Sequence, residues 1–168
     1  MDDKTKEIIE ECVREEENCL YTSTTFYLWL SFLRKLKNYF IAIPLLLGGI
    51  ASIEILKQSS EDYIKYIIAF LAFIAGVMPS IFSALKIDSK IETLDKTASK
   101  YKIMQGKFRR LKNIKSRNNS FEDDFNNTIS ELEELKANSL TAPEKYFKKA
   151  QEKIKKGDYE FTIDEKNV

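Results

Sequence analysis

Four small residues recur at intervals of four along one apolar run: Ala72, Gly76, Ser80 and Ala84, with Ala75 and Ser83 beside them. On a helix this spacing makes one shallow strip, along which a second helix can approach closely or water can pass a wall of hydroxyls. Gly48 and Ser52 form a shorter version in an earlier run. Close packing within or between helix pairs is the plainer use of the strip. A pore-lining face is the alternative, because Ser52, Ser80 and Ser83 are the hydroxyls set well inside the two runs. The first run also holds a carboxylate, Glu54. An ionisable group in so apolar a stretch is a functional candidate by default. Glu54 nevertheless lies near the end of its run, three residues from Lys57, so an interfacial ion pair outranks a gate or an ion ligand.

Other chemistry is poorly provided for. The chain has no histidine, and Cys12 and Cys19 are its two cysteines. Two thiols without imidazole cannot supply the four ligands of a structural zinc site or a Cys-His nucleophile pair. Their seven-residue spacing sets both on one helical face with Ile8, Ile9 and Val13, as small core residues rather than a redox pair. Residues 86 to 117 carry eleven Lys or Arg against three acidic residues. Nucleic acid would be one partner for such a stretch, but no groove-reading or stacking module accompanies it. Anionic headgroups near Lys86 and Lys90, and the acidic segments at 2–17 and 122–134, satisfy the charge more simply. No phosphate loop, metal cluster or hydrolytic triad is visible, so neither an enzyme nor a cofactor is expected.

The elements that position the strip are two apolar runs. The first, from Tyr39 to Leu56, is about 18 residues interrupted by Glu54, and the second, Tyr66 to Leu85, is uncharged throughout. As helices they reach roughly 27 and 30 Å, against a hydrocarbon core of about 30 Å. A chain of 168 residues has too little other apolar material to wrap two helices that are apolar all round. The expected fold is therefore an all-α membrane protein: a two-span transmembrane hairpin at 39–85, with spans near 39–57 and 65–85, between a cytosolic N-terminal segment at 1–38 and a cytosolic stalk with C-terminal helices at 86–168. Eight Lys or Arg flank the runs on their outer sides and two lie in the connecting loop, which places both termini in the cytoplasm. The acidic N-terminus shows no secretory signal pattern, so the first span would be the retained insertion signal.

Around the hairpin the pattern is helical. An acidic amphipathic helix at 4–17 is followed by the hydroxyl cluster of YTSTT, read as a helix cap, and then by Phe26, Trp29, Leu33, Leu36 and Phe40 at spacings of three and four. Tyr39 suits an interfacial anchor and Trp29 the core. Pro44 invites a kink. From Lys86 to Arg117 there is no proline, so the second span is expected to continue as one helix of about 50 residues, a stalk of roughly 75 Å. Its stripe of Ile87, Ile91, Leu94, Ala98 and Tyr101 has the spacing of an oligomerisation seam. Ser120 with Asp123, and Thr141 with Pro143 and Glu144, predict two further helix starts, with Tyr146, Phe147, Ala150 and Ile154 buried on the second helix and Gly157 ending it.

In order and wording, YTSTTFYLWLSFLRKLK before the first span, LLLGGIAS within it, GVMPSIFSALKID closing the second, and PEKYFKKAQEKIKKGDYEF near the end, the chain resembles the bacterial SLATT family, two-transmembrane effector domains associated with SMODS nucleotidyltransferases and SLOG proteins. The resemblance covers nearly the whole chain and rests on no catalytic fingerprint. It implies a membrane effector of antiviral defence that assembles with itself and forms a pore in the inner membrane when a separately encoded sensor or nucleotide signal activates it. The residues alone support a membrane-anchored hairpin able to oligomerise, and a non-conducting helical adaptor is the rival.

Overall fold

Heptad spacing decides the architecture. The computed structural model describes residues 3–56, 62–113 and 120–157, and all five of their regular elements are α-helices: α1 (Asp3–Leu56), α2 (Asp62–Ala84), α3 (Ile87–Asn113), α4 (Phe121–Ala137) and α5 (Glu144–Lys155). Along α1, Cys12, Cys19, Phe26 and Leu33 are all buried, seven residues apart, with Ser23 and Leu30 at the intervening positions. That 3.5-residue repeat is a seam for antiparallel or parallel partners lying almost along the same axis. The molecule divides into two compact units, one formed by Met1–Leu30 with Thr93–Val168 and the other by Ser31–Glu92.

In the first unit α3 supplies the matching seam, burying Leu94, Ala98, Tyr101, Met104, Phe108 and Leu111. The Phe26 and Tyr101 rings stack at 5.8 Å, Tyr27 meets Ser99, and Glu16 meets Lys112. As the α1 number falls the α3 number rises, so the two run antiparallel. α4 runs parallel to α1, joined by Lys4–Glu122 at 2.7 Å and Glu15–Lys136 at 3.2 Å, and is tied to α3 by the Lys107–Glu131 pair. α5 closes the bundle with Tyr146 stacked on Trp29 at 6.3 Å and Ala150 fully buried. The lysines of α3 thus meet the acidic faces of α1 and α4, which accounts for part of the basic stretch without any foreign anion.

Four expectations are corrected here. The YTSTT cluster does not cap a new helix, because α1 runs straight through it; Ser23 and Thr25 donate back to the carbonyls of Leu20 and Tyr21 at 3.0 and 2.7 Å, which satisfies their hydroxyls inside the core. The N-terminal helix and the first apolar run are consequently one element of 54 residues. Ser120 does precede α4, and α5 does start at Glu144 with Pro143 before it, but neither helix start has the expected side-chain cap bond. Phe147, expected in the core, is 43% exposed, its ring tilted against Tyr21 with centroids 6.5 Å apart. Gly157 does end α5 as expected, at φ 81° with its N–H on the Ile154 carbonyl at 3.0 Å, the left-handed C-terminal arrangement for which glycine is suited.

The largest difference is the stalk. α2 ends at Ala84 and α3 starts at Ile87, so no single helix of 50 residues forms. Lys86 sits at φ 49°, its N–H bonded to the Ser83 carbonyl at 3.1 Å, and its carbonyl accepts from Lys90 at 3.1 Å as the next helix begins. A left-handed non-glycine residue costs roughly 1–2 kcal/mol. The cause lies in the phase of the apolar stripes. On α2 the inward positions are Ile64, Ile68, Leu71, Ala75, Met78 and Phe82, and that repeat would next place Leu85 and Ser89 inward. Both are exposed, while Ile87 is buried. Only a rotation of the chain between the two stripes lets each of them face a partner. Residues 114–117 of the expected stalk and the tail after Gly157 lie outside the described residues.

Candidate functional site

The second unit carries the chemistry that needs explaining. Within it α1 presents Leu33, Leu36, Phe40, Pro44 and Leu47 inward and α2 presents the heptad set above, with Phe40 and Phe82 in ring contact at 5.8 Å. Two helices joined in this way bury one stripe each and leave the rest of both cylinders uncovered. The uncovered part is apolar. On α1, Leu45 is 76% exposed and Ile41, Leu46 and Ile50 are also exposed; on α2, Phe70 is 63% and Phe73 66% exposed, with Tyr66 and Ile67 beside them. From Tyr63 to Ala84, 22 residues of mean hydropathy 2.2, α2 is long and apolar enough to cross a membrane, and none of that stretch is buried in the chain. At about 1.5 Å per residue it reaches roughly 33 Å. In water each such leucine or phenylalanine forgoes roughly 1.5–3 kcal/mol of burial, and soluble monomers seldom carry one apolar patch beyond a few hundred Å².

The sequence-derived positions fall on this belt unevenly. Ala72, Gly76, Ser80 and Ala84 share one exposed face of α2. A Cβ placed on Gly76 meets nothing within 4 Å. Close packing inside the helix pair is therefore not the use of the strip, because α1 lies against the other side of α2. Gly48 is half-exposed with the same open space, and Ser52 is exposed, its hydroxyl donating to the Gly48 carbonyl at 2.8 Å. That bond satisfies the serine's donor within its own helix. The Glu54 side chain lies outside the described residues. Tyr39 is 61% exposed, where an interfacial anchor would stand, and Trp29 packs on Tyr146 in the first unit.

The oligomerisation stripe is occupied. Leu94 and Ala98 are fully buried, Ile87 and Tyr101 nearly so, and Ile91 half-buried, all within one chain. Within the chain that seam meets α1, where Tyr101 stacks on Phe26.

In the first unit one groove is lined by polar groups that are already paired. The groove of about 500 Å³ beside Phe26, Tyr101 and Phe147 also holds Thr25, Ser139 and Lys136. Each of these is already engaged: Thr25 with the Tyr21 carbonyl, Ser139 with the Leu135 carbonyl, and Lys136 with Glu15. Among the described residues no group of three His, Cys, Asp or Glu could hold a metal ion. Glu16 Oε2 forms an ion pair with Lys112 Nζ at 2.7 Å, so this partly buried carboxylate is already matched.

Both cysteines are free and buried. Burial, with Glu11 nearby, pushes the Cys12 thiol up to about 11; burial and Glu15 push Cys19 up to about 12. Protonated and enclosed, they are unreactive core residues. A raised folded-state value means that the neutral thiols stabilise the fold fully below the unfolded value near 9.0, and that this contribution is lost as pH rises through 11 and 12. The melting temperature should therefore fall between pH 8 and 11 more steeply in the native chain than in Cys12→Ala/Cys19→Ala, which keeps every lysine and so subtracts their titration. Parallel slopes for the two proteins would show that the thiols play no part.

Set against known protein families, characterised proteins and solved structures, the chain matches none.

Proposed function

We propose that this chain is a bacterial membrane effector of antiviral defence, of the abortive-infection type. It is anchored in the inner membrane by a two-span hairpin with both termini in the cytoplasm, and it associates with further copies to form a pore that depolarises the membrane when a partner sensor or nucleotide signal activates it. The observation that carries the membrane part of this reading is the uncovered apolar belt of α2, which no part of the chain buries. The defence role comes from the SLATT resemblance. One hairpin encloses no lumen, so a pore needs several copies. The outward strip of Ala72, Gly76, Ser80 and Ala84 offers them a close approach inside the bilayer.

A second reading has an observation in its favour. The cytosolic helices close on themselves and bury the seam that could have joined subunits, as a membrane-anchored adaptor with no conductance would. Ser80 separates the two. With the signalling partner present, Ser80→Asp and Ser80→Lys on a lumen wall stay hydrated and should shift cation against anion selectivity in opposite directions. At a helix contact in lipid, either charge costs roughly 2.5–3.5 kcal/mol and should stop assembly. Current through planar bilayers, with membrane potential and growth followed in induced cells, reads both. Wild-type protein that is inserted and activated yet never conducts would leave the adaptor.

A further inference from the structure

Where this chain ends a helix for good it uses glycine: Gly157, at φ 81°, stops α5. Between α2 and α3 the same left-handed step is taken by Lys86 at φ 49°, the sole non-glycine residue of that kind among the described residues. A left-handed side chain is strained, and such residues persist where the surrounding packing forces them, often in elements that switch. Lysine is also an ordinary helix former, and from Ser80 to Gln105 the sequence holds neither glycine nor proline. The residue that separates α2 from α3 is therefore one that can also join them.

Joining them changes which face meets α1. Ser80, Ile87, Leu94, Tyr101 and Phe108 are seven residues apart, with Gly76 four before the first and Ile91 and Ala98 between later members. On one unbroken helix they form a single stripe. In the structure the two halves of that stripe are used oppositely. Before Lys86, Gly76 and Ser80 are exposed, on the side of α2 away from the Phe40–Phe82 contact with α1. After Lys86, Ile87 and Leu94 are buried and Tyr101 stacks on Phe26 of α1. α1 is itself one helix through both contacts, so a straight helix made of α2 and α3 keeps one contact and gives up the other. Residues 57–61 alone join α1 to α2, which holds that pair together, so the contact given up is the α3 seam.

We propose that Lys86 is the hinge of a two-state device. Left-handed, it turns the α3 seam onto α1 and keeps the chain closed on itself; helical, it aligns the seam with the small-residue strip of α2 into one stripe from Gly76 to Phe108, which pairs with the same stripe of a second copy. This rests on the self-assembling membrane reading and supplies its regulation. A second copy is the occupant because the stripe keeps a 3.5-residue repeat that a like helix matches along its length, and because it continues in phase from the strip assigned to contact between copies.

The test uses the full chain in isolated membranes of induced cells. In a Cys12→Ala/Cys19→Ala background one cysteine is added, by Ala98→Cys in the seam, Gly76→Cys in the strip or Ala150→Cys on α5, and disulfide-linked dimers are measured after oxidation with copper phenanthroline. With lysine at 86, Ala98→Cys should link as a minor fraction, because the closed form dominates. Lys86→Val, whose β-branched side chain the left-handed region all but excludes, should raise that fraction several-fold. Lys86→Gly escapes the left-handed penalty and is disfavoured in a helix, roughly fivefold for each, so it should cut the linking on the order of 20-fold. Ala150 is fully buried away from the stripe, and Ala150→Cys should stay unlinked throughout. Linking at Ala98→Cys that ignores the residue at 86, or that rises together with linking at Ala150→Cys, overturns the hinge, since the seam is then always open or is freed by unfolding. Linking at Gly76→Cys with none at Ala98→Cys in any variant overturns the hinge and leaves assembly in the membrane standing. No linking at either site overturns the assembly on which the hinge rests.

Discussion

Leu94→Asp is expected to unfold the bundle of α1, α3, α4 and α5 rather than to separate subunits. Leu94 is fully buried near the start of the α3 seam, between Ile91 and Ala98. Deleting such a leucine side chain to alanine costs roughly 2–5 kcal/mol, and an unpaired carboxylate in the same space adds the cost of burying a charge. The sum approaches the whole stability of an ordinary domain, about 5–15 kcal/mol. Loss of the cooperative melt by circular dichroism, with rapid tryptic cleavage among the α3 lysines, would be the readout. Ile103→Asp is the control, because Ile103 is on the same helix but 57% exposed, where a charge should shift the melt little. If Leu94→Asp instead left a folded monomer and dissociated a larger species, the seam would belong to a subunit contact and the assignment of α1 as its partner would be wrong.

How far the sequence could be read follows from what a periodicity specifies. The seven-residue repeat of Cys12, Cys19 and Phe26, and that of Leu94, Tyr101 and Phe108, name a buried face on each helix. They do not name the surface that covers it. A second subunit and a second segment of the same chain satisfy the stripe equally, and the antiparallel register visible in the Phe26–Tyr101 and Glu16–Lys112 contacts is a property of the folded chain. The hydroxyls of YTSTT failed as a boundary signal for a related reason. A serine or threonine bonds a helix backbone either at its start or four residues back within it, and only the buried seam on both sides of Ser23 selects the second.

The break at Lys86 had a sequence cue of a different kind. Neither glycine nor proline marks it, but the stripe through Met78 and Phe82 and the stripe through Ile87 and Ile91 are out of step, and a continuous helix cannot turn both inward. Phase, not composition, carried that signal. The strip of small residues was equally visible, yet its direction was not. Phe82 lies against Phe40 of α1 while Ala72, Gly76 and Ser80 are exposed, so the strip faces away from α1.

Phe70→Arg/Phe73→Arg should remove the protein from the membrane. Both rings are about two-thirds exposed, near the middle of the 22-residue apolar stretch of α2. In a lipid-facing helix each central arginine raises the cost of insertion by roughly 2.5–3.5 kcal/mol, with the favourable phenylalanine term lost as well, so the pair should cost on the order of 6 kcal/mol. Set three residues apart in a run without acidic side chains, the two guanidinium groups repel each other and have no carboxylate on that run to pair with, and snorkelling from mid-helix reaches the interface poorly. If α2 were instead an exposed helix of a water-soluble protein, the same change would replace apolar surface with charge and improve solubility. The two readings therefore predict opposite signs. Membrane pelleting and carbonate extraction of induced cells should show wild type retained in the bilayer and the double variant in the soluble or degraded fraction. A conservative Phe70→Leu/Phe73→Leu variant should stay with wild type. Native-like double-arginine protein recovered at higher yield from the cytosol, together with wild type that carbonate strips from the membrane, would end the membrane assignment and the pore with it.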